Sequence, residues 1–172
     1  MPVVIDSTVG GASANAYDTV AYITTYSEGT VWASNWAAKT ADEKAALAVR
    51  ATRALDTLSF EGDRADDDQA LQFPRVNVTL PNGNGLDSAT IPAQIKQAWA
   101  HVACWLSSIA AGTDPFSVDP TAKYVSKQVG PLATTYVPSV GTDGSRFLKT
   151  VIAPMLRPFG LLGAGGSARL VR

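Results

Sequence analysis

Thr40-Ala41-Asp42-Glu43-Lys44-Ala45-Ala46-Leu47-Ala48-Val49-Arg50-Ala51-Thr52-Arg53-Ala54-Leu55 is the stretch that decides the fold class. Thr40 and Glu43 have the spacing of a capping box, in which a hydroxyl and a carboxylate each satisfy a free backbone N–H at a helix start. The alanines, leucines and arginines that follow are strong helix formers. The pattern predicts a helix over 41–58 with Leu47, Ala51, Ala54, Leu55 and Leu58 in one arc and Arg50, Arg53 and Asp56 outside it.

On the N-terminal side, Asp18 or Thr19 can cap a short helix that carries Val20, Ile23 and Tyr26 and stops at Gly29. Trp32 and Trp36 are four residues apart, which places both indoles on one side of a helical turn. The opening from Thr8 to Asn15 is small and polar and reads as an extended arm. On the C-terminal side the periodicity disappears between Ser59 and Leu86, a segment with an acidic run at Asp66-Asp67-Asp68 and a turn-rich Pro81-Asn82-Gly83-Asn84-Gly85. Alternation of Val76, Val78 and Leu80 with Asn77 and Thr79 predicts one short strand. A loop this long is expected to be functional or to need an external partner for its order.

Pro92 suits the first turn of another helix, running to about Ala111 and ended by Gly112. Ile95, Ala98, Trp99, Val102, Leu106 and Ile109 form its main face, while Cys104 projects opposite and Trp105 to the flank. The second apolar side implies a second neighbour, expected to be another subunit. After Asp114 to Pro120, the segments 124–129 and 133–137 read as a hairpin around Gly130-Pro131. Ser145 is expected to cap a last helix bearing Phe147, Leu148, Val151, Ile152 and Met155, interrupted by Pro154 and ended by Pro158.

The resulting expectation is a mainly α fold, a small helical bundle with a minor β-hairpin and extended termini. A domain over 1–158 would bury Leu47, Leu55, Leu58, Ile95, Trp99, Val102 and Leu106, followed by a flexible tail over 159–172. In that tail Leu161, Leu162, Leu170 and Val171 would be apolar anchors for a partner groove, with Arg169 and Arg172 as charge contacts.

With 172 residues, 46% of them hydrophobic and 17% charged, the chain has material for one core and not two. No apolar run approaches membrane-spanning length, and the N-terminus lacks a basic region followed by a hydrophobic one, so a soluble, non-exported protein in a reducing cytoplasm is expected. The net charge of −1 is unevenly spread. Residues 1–122 carry 7 bases and 14 acids, a net −7, and residues 123–172 carry 7 bases and 1 acid, a net +6. Opposite charge at the two ends favours head-to-tail contacts between copies, an acidic partner, or pairing within one subunit.

The residues offer little chemistry. His101 and Cys104 are three apart on a helix, but a thiol-imidazole pair on a regular, partly buried face lacks the exposed electropositive setting of a reactive thiol. One histidine and one cysteine, without H-x-x-x-H or C-x-x-C spacing, exclude a usual zinc site. Asp63, Asp66, Asp67 and Asp68 lack a calcium-loop pattern and read as a solvated acidic loop. Gly163 to Ala168 matches G-x-G-x-x-A without the strand and helix that a dinucleotide site requires. No cofactor, metal or catalytic residue is expected, and the chain reads as a non-enzyme.

Several segments in order resemble a family of small tailed-phage proteins encoded among capsid and tail genes, labelled either head-tail connector or DnaT-like single-stranded DNA-binding protein. They are 3–8 with 14–17, Ala51 to Asp56, Phe60 to Arg64, Gln69 to Arg75, Ile91 to Ala98, and Lys127 to Leu132 with Tyr136. The resemblance implies a virion protein made in the host bacterial cytoplasm, a ring of copies, twelve by resemblance, beneath the portal. Its partners would be itself, the portal, a tail or neck protein, and double-stranded DNA passing through the channel without sequence-specific contact, with no membrane. The connector is the primary expectation. The alternatives are another tail-completion or neck protein, or a DnaT-like single-stranded DNA binder acting through Lys123, Tyr124, Lys127 and Tyr136.

Overall fold

The computed structural model describes residues 3–117, 125–129, 132–136 and 143–163. The fold is mainly helical with small antiparallel β elements, as the sequence predicts. Helix α1 (Val20–Ser27) starts where the Thr19 hydroxyl accepts a hydrogen bond from the Tyr22 amide, and α2 (Ala33–Ala37) follows on a short turn. The capping box of α3 (Ala41–Leu55) is formed in both directions: Thr40 N donates to Glu43 Oε2 at 2.8 Å, and Glu43 N to Thr40 Oγ1 at 3.3 Å. This helix stops at Leu55, not at 58. Leu58 N turns back to Leu55 O, and the Thr57 hydroxyl donates to Ala54 O at 2.7 Å, so the end carbonyls are satisfied by a turn and a side chain.

Helix α4 (Ala93–Ser107) is the hub. Ile95, Ala98, Trp99, Ala100, Val102, Ala103 and Cys104 have no exposed surface, so it is buried nearly all round. Helix α3 lies against one side, where Ala48 and Ala51 let the two backbones approach and the Trp99 indole N–H donates to Ala48 O at 3.0 Å. Helices α1 and α2 pack on other sides. The second apolar neighbour of α4 therefore lies in the same chain, which corrects the expectation of another subunit there. Leu55, Ile95, Trp99, Val102 and Leu106 are buried as expected. Leu47 and Leu58 are only half-buried, because the inward arc of α3 is centred on its alanines.

The segment from Ser59 to Leu86 is ordered from within. Arg75, 7% exposed, donates from Nε to Glu61 O at 2.6 Å, from Nη1 to Gln72 O at 3.1 Å, and from Nη2 to the carbonyl of Gly62. Gln69, 2% exposed, donates to Leu71 O and Pro74 O and accepts from the Asp66 amide. The expected strand over Val76 to Leu80 is reduced to β2 (Arg75–Val76), paired with β1 (Asp63–Arg64), because Asn77 takes a left-handed φ of 59° and breaks the extended run. Gly62 is required here: a Cβ would lie 2.2 Å from Val76 O.

The loop is locked to the helices through aromatic rings. Tyr17 donates its hydroxyl to Asp56 at the end of α3 and meets Phe73 edge-on at 6.3 Å, and Phe73 meets Phe60 edge-on at 4.9 Å. The segments around Tyr17, Asp56, Phe60, Gln69 and Arg75, scattered in the sequence, thus form one interlocked unit.

Strands β3 (Val125–Val129) and β4 (Leu132–Tyr136) make the predicted hairpin, with Val125 opposite Tyr136 and Lys127 opposite Thr134. Helix α5 (Asp143–Phe147) begins two residues before Ser145 and passes through a π turn (Leu148–Ile152) into α6 (Ala153–Leu156) and a 3₁₀ turn (Arg157–Phe159). The wide turn immediately precedes Pro154, whose ring and missing N–H are incompatible with an uninterrupted α ladder. Both the π turn and α6 reach α4.

From Gly160 to Gly163 the chain remains packed. Leu161 is 1% exposed, Phe60 pairs with Leu162, Glu61 N donates to Leu161 O at 3.1 Å, and Gly163 N donates to Ser59 O at 3.0 Å. Leu161 and Leu162, expected as free anchors in a flexible tail, are instead occupied inside their own domain. Arg169, Leu170, Val171 and Arg172 lie outside the described residues. No helix among the described residues is long and apolar enough to cross a membrane.

Candidate nucleic-acid interface

Along one side of α4, a connected strip of partly exposed rings is assembled from four parts of the chain. Tyr26 of α1 contacts His101 at 6.0 Å, and Trp32 meets His101 at 5.0 Å and Phe147 at 6.2 Å, all edge-on. Phe147 of α5 stacks on Trp105 with centroids 4.2 Å apart and planes 8° from parallel, and Trp105 meets Phe116 at 6.1 Å. Trp36 and Trp99, in contrast, are fully buried. The sequence placed Trp105 on a flank of α4 but gave no sign of its partners, because the other rings come from separate segments.

Cations lie at one end of the strip. A cleft of about 430 Å³ between α3 and the start of α5 is lined by Arg50, Arg53, Phe116 and Ser145. Arg50 is tied to Asp114 at 3.2 Å, whereas Arg53 is exposed. Arg146 and Lys149, on either side of Phe147 in the sequence, are exposed as well. At the other end, an uncharged cleft of about 530 Å³ lies beside Tyr26, Trp32 and His101.

The hairpin is rooted beside this strip. The hairpin lies in the sequence between Ser117 and α5, and these two ends are held together where Gly144 N donates to Pro115 O at 2.9 Å. Gly144 is buried against Phe116: a Cβ there would lie 2.3 Å from the ring. By the register of β3 and β4, positions 125, 127, 129, 132, 134 and 136 share one face of the ladder, so Lys127 and Tyr136 occupy positions on the same face. Lys123 and Tyr124 lie outside the described residues.

The His101 and Cys104 pair is built for packing. Burial pushes the Cys104 thiol up to about 11, against a smaller opposing effect of Thr30, so it is protonated and inert near neutrality. His101 Nδ1 is 3.1 Å from the Tyr26 hydroxyl, and burial holds the imidazole below its ordinary range, in the neutral form. The acidic loop is organised by its own backbone, with Asp66 Oδ1 accepting from the Asp68 amide and Asp63 Oδ2 from Asn77. Among the described residues no group of three or more His, Cys, Asp or Glu side chains is placed to hold a metal ion.

Residues 1–172 match the model of the family described as "Putative DnaT-like ssDNA binding protein". The chain belongs to this family. No curated protein and no solved structure matches it. The family's description names single-stranded DNA binding, a non-enzymatic activity, and no head-tail connector, adaptor or neck protein. That finding overturns the connector expectation, together with the portal-binding role attached to it, and favours the alternative. The misdirection came from a resemblance that carried two labels. Segments such as Phe60 to Arg64 and Gln69 to Arg75 lock the fold, and a fold-locking motif does not distinguish between functions hosted on one fold.

Proposed function

We propose that this chain binds single-stranded DNA, without catalysis, along the aromatic strip from Phe116 to Tyr26. The observation that carries the reading is the connected ring series Trp105, Phe147 and Phe116, with exposed Arg53 lining the cleft beside Phe116 and exposed Arg146 and Lys149 flanking Phe147 in the sequence. Proteins that hold single strands combine aromatic platforms for base faces with cations that track the backbone, and each stacked base contributes roughly 1–3 kcal/mol. Family membership supports the same ligand. The near-neutral balance of the whole chain fits a local interface better than a generally basic surface, since the excess of bases begins at the hairpin.

Anisotropy of fluorescently labelled oligonucleotides tests this. Affinity is expected to rise with strand length, to exceed that for a duplex of equal length, and to fall with salt. Replacing Arg146 and Lys149 together by alanine is expected to flatten the log–log salt slope by about 1.4, from ~0.7 per phosphate contact on a single strand. Absence of length-dependent binding at low salt, or equal preference for duplex, would refute the proposal.

A further inference from the structure

We propose that the uncharged cleft bordered by α1, the turn after it and α4 receives one unstacked base of the bound strand, with Trp32 as aromatic wall and His101 and Thr25 at the base's hydrogen-bonding edge. The inference rests on the single-stranded DNA reading and adds a base-discriminating pocket to it. The cleft, about 530 Å³, is lined by Thr25, Tyr26, Thr30, Val31, Trp32 and His101. None of these side chains carries a fixed charge, so a phosphate entering it would lose its counter-ions without replacement, whereas a base would find rings and neutral polar groups.

The polar groups available there are unspent. His101 uses Nδ1 on the Tyr26 hydroxyl, and its Nε2 has no protein partner among the described residues. The same holds for Thr25 Oγ1 and the Trp32 indole N–H, whereas the Thr30 hydroxyl is committed to Ser27 O. A neutral imidazole offers Nε2 as donor or acceptor according to tautomer, which suits an edge carrying both kinds of group. Val31, 86% exposed, adds apolar surface to the cleft.

The cleft is continuous with the stacking strip. Phe147 meets Trp32 at 6.2 Å and is nearly parallel to His101, 9° between planes at 5.9 Å. The strip and the cleft therefore share Trp32 and His101 as a common border. Turning one base out costs least in a strand that is already unpaired.

The wild-type chain is to be irradiated with oligonucleotides containing 5-iodouracil and the attached peptides mapped. Attachment at Tyr26, Trp32 or His101 is the expected result. Binding with attachment confined to the hairpin or to α5 would overturn the pocket while leaving the proposed function standing; no binding at all would remove both. In parallel, homo-oligomers of dT, dC and dA of equal length are compared. A preference of roughly five-fold or more, the size of one good hydrogen-bonding pair, is expected in the wild type. His101→Phe, which keeps a ring against Phe147, and Thr25→Val at the exposed edge are each expected to erase the preference while binding persists. Equal affinity of the wild type for all three strands, or a preference unchanged in both variants, would count against the pocket.

Discussion

Arg75 shows what a single side chain does for this molecule. Its guanidinium replaces the strand ladder that most of the segment from Ser59 to Leu86 lacks, by donating to the carbonyls of Glu61 and Gly62 at its start and of Gln72 near its middle. Arg75→Met would keep the apolar stem but orphan two or more buried acceptors, at ~1–3 kcal/mol each. Urea unfolding should show a loss of that order, and an unchanged midpoint would mean that the carbonyls find other donors. Asp56 gives a second residue-scale expectation. Burial raises its folded-state value to about 6 from 3.8, against smaller opposing effects of the hydrogen bonds from Tyr17 and the Gln72 backbone. The folded chain thus holds this proton more tightly than the unfolded chain. The associated stability is complete below pH 3.8 and is lost as pH rises through about 6. Asp56→Asn keeps an acceptor for the Tyr17 hydroxyl and removes the titration. Its urea midpoint should therefore gain on the wild type between pH 4 and 7, and parallel curves for the two proteins would contradict the assignment.

Among the elements, those driven by local rules were legible. Thr40 and Glu43 marked the start of α3, the Asp18-Thr19 pair the start of α1, and the runs on either side of Gly130-Pro131 the strands β3 and β4. What failed depended on partners distant in sequence. Nothing in Val76 to Leu80 announces that Asn77 breaks the strand, and nothing in Trp105 announces Phe147. Gly144 precedes the Ser145 expected as the helix cap, and the reason for a glycine there is Phe116, which precedes the whole hairpin. The hairpin's root also gives an expectation. Because Pro115 and Gly144 are joined by a hydrogen bond, replacing 119–141 by a short Gly-Ser linker closes a small gap and should leave the bundle's thermal transition nearly unchanged. Single-strand affinity should drop sharply in the same variant. Full affinity without the hairpin would confine the interface to the bundle.

For the whole molecule, the central correction concerns α4. A helix apolar on every side can be covered by a second copy or by its own chain, and periodicity does not distinguish the two. Here α1, α2, α3 and the last helical segments cover it, so its apolar faces are packed within the chain. The C-terminal stretch belongs to that closure. Truncation after Phe159 deletes buried Leu161 and the pairing of Leu162 with Phe60. Loss of one such leucine alone costs about 2–5 kcal/mol, and a truncated chain should unfold at correspondingly lower denaturant. A truncation as stable as the full chain would show that the core closes without it.

The four tryptophans are divided evenly, with Trp36 and Trp99 sealed inside and Trp32 and Trp105 half-open beside the proposed strand path. The molecule therefore carries a built-in optical reference. Two chromophores emit from a dry environment and report folding, while two are open to quenching by a docking ligand. A titration that dims the red-shifted part of the emission and spares the blue part would locate the contact without any label.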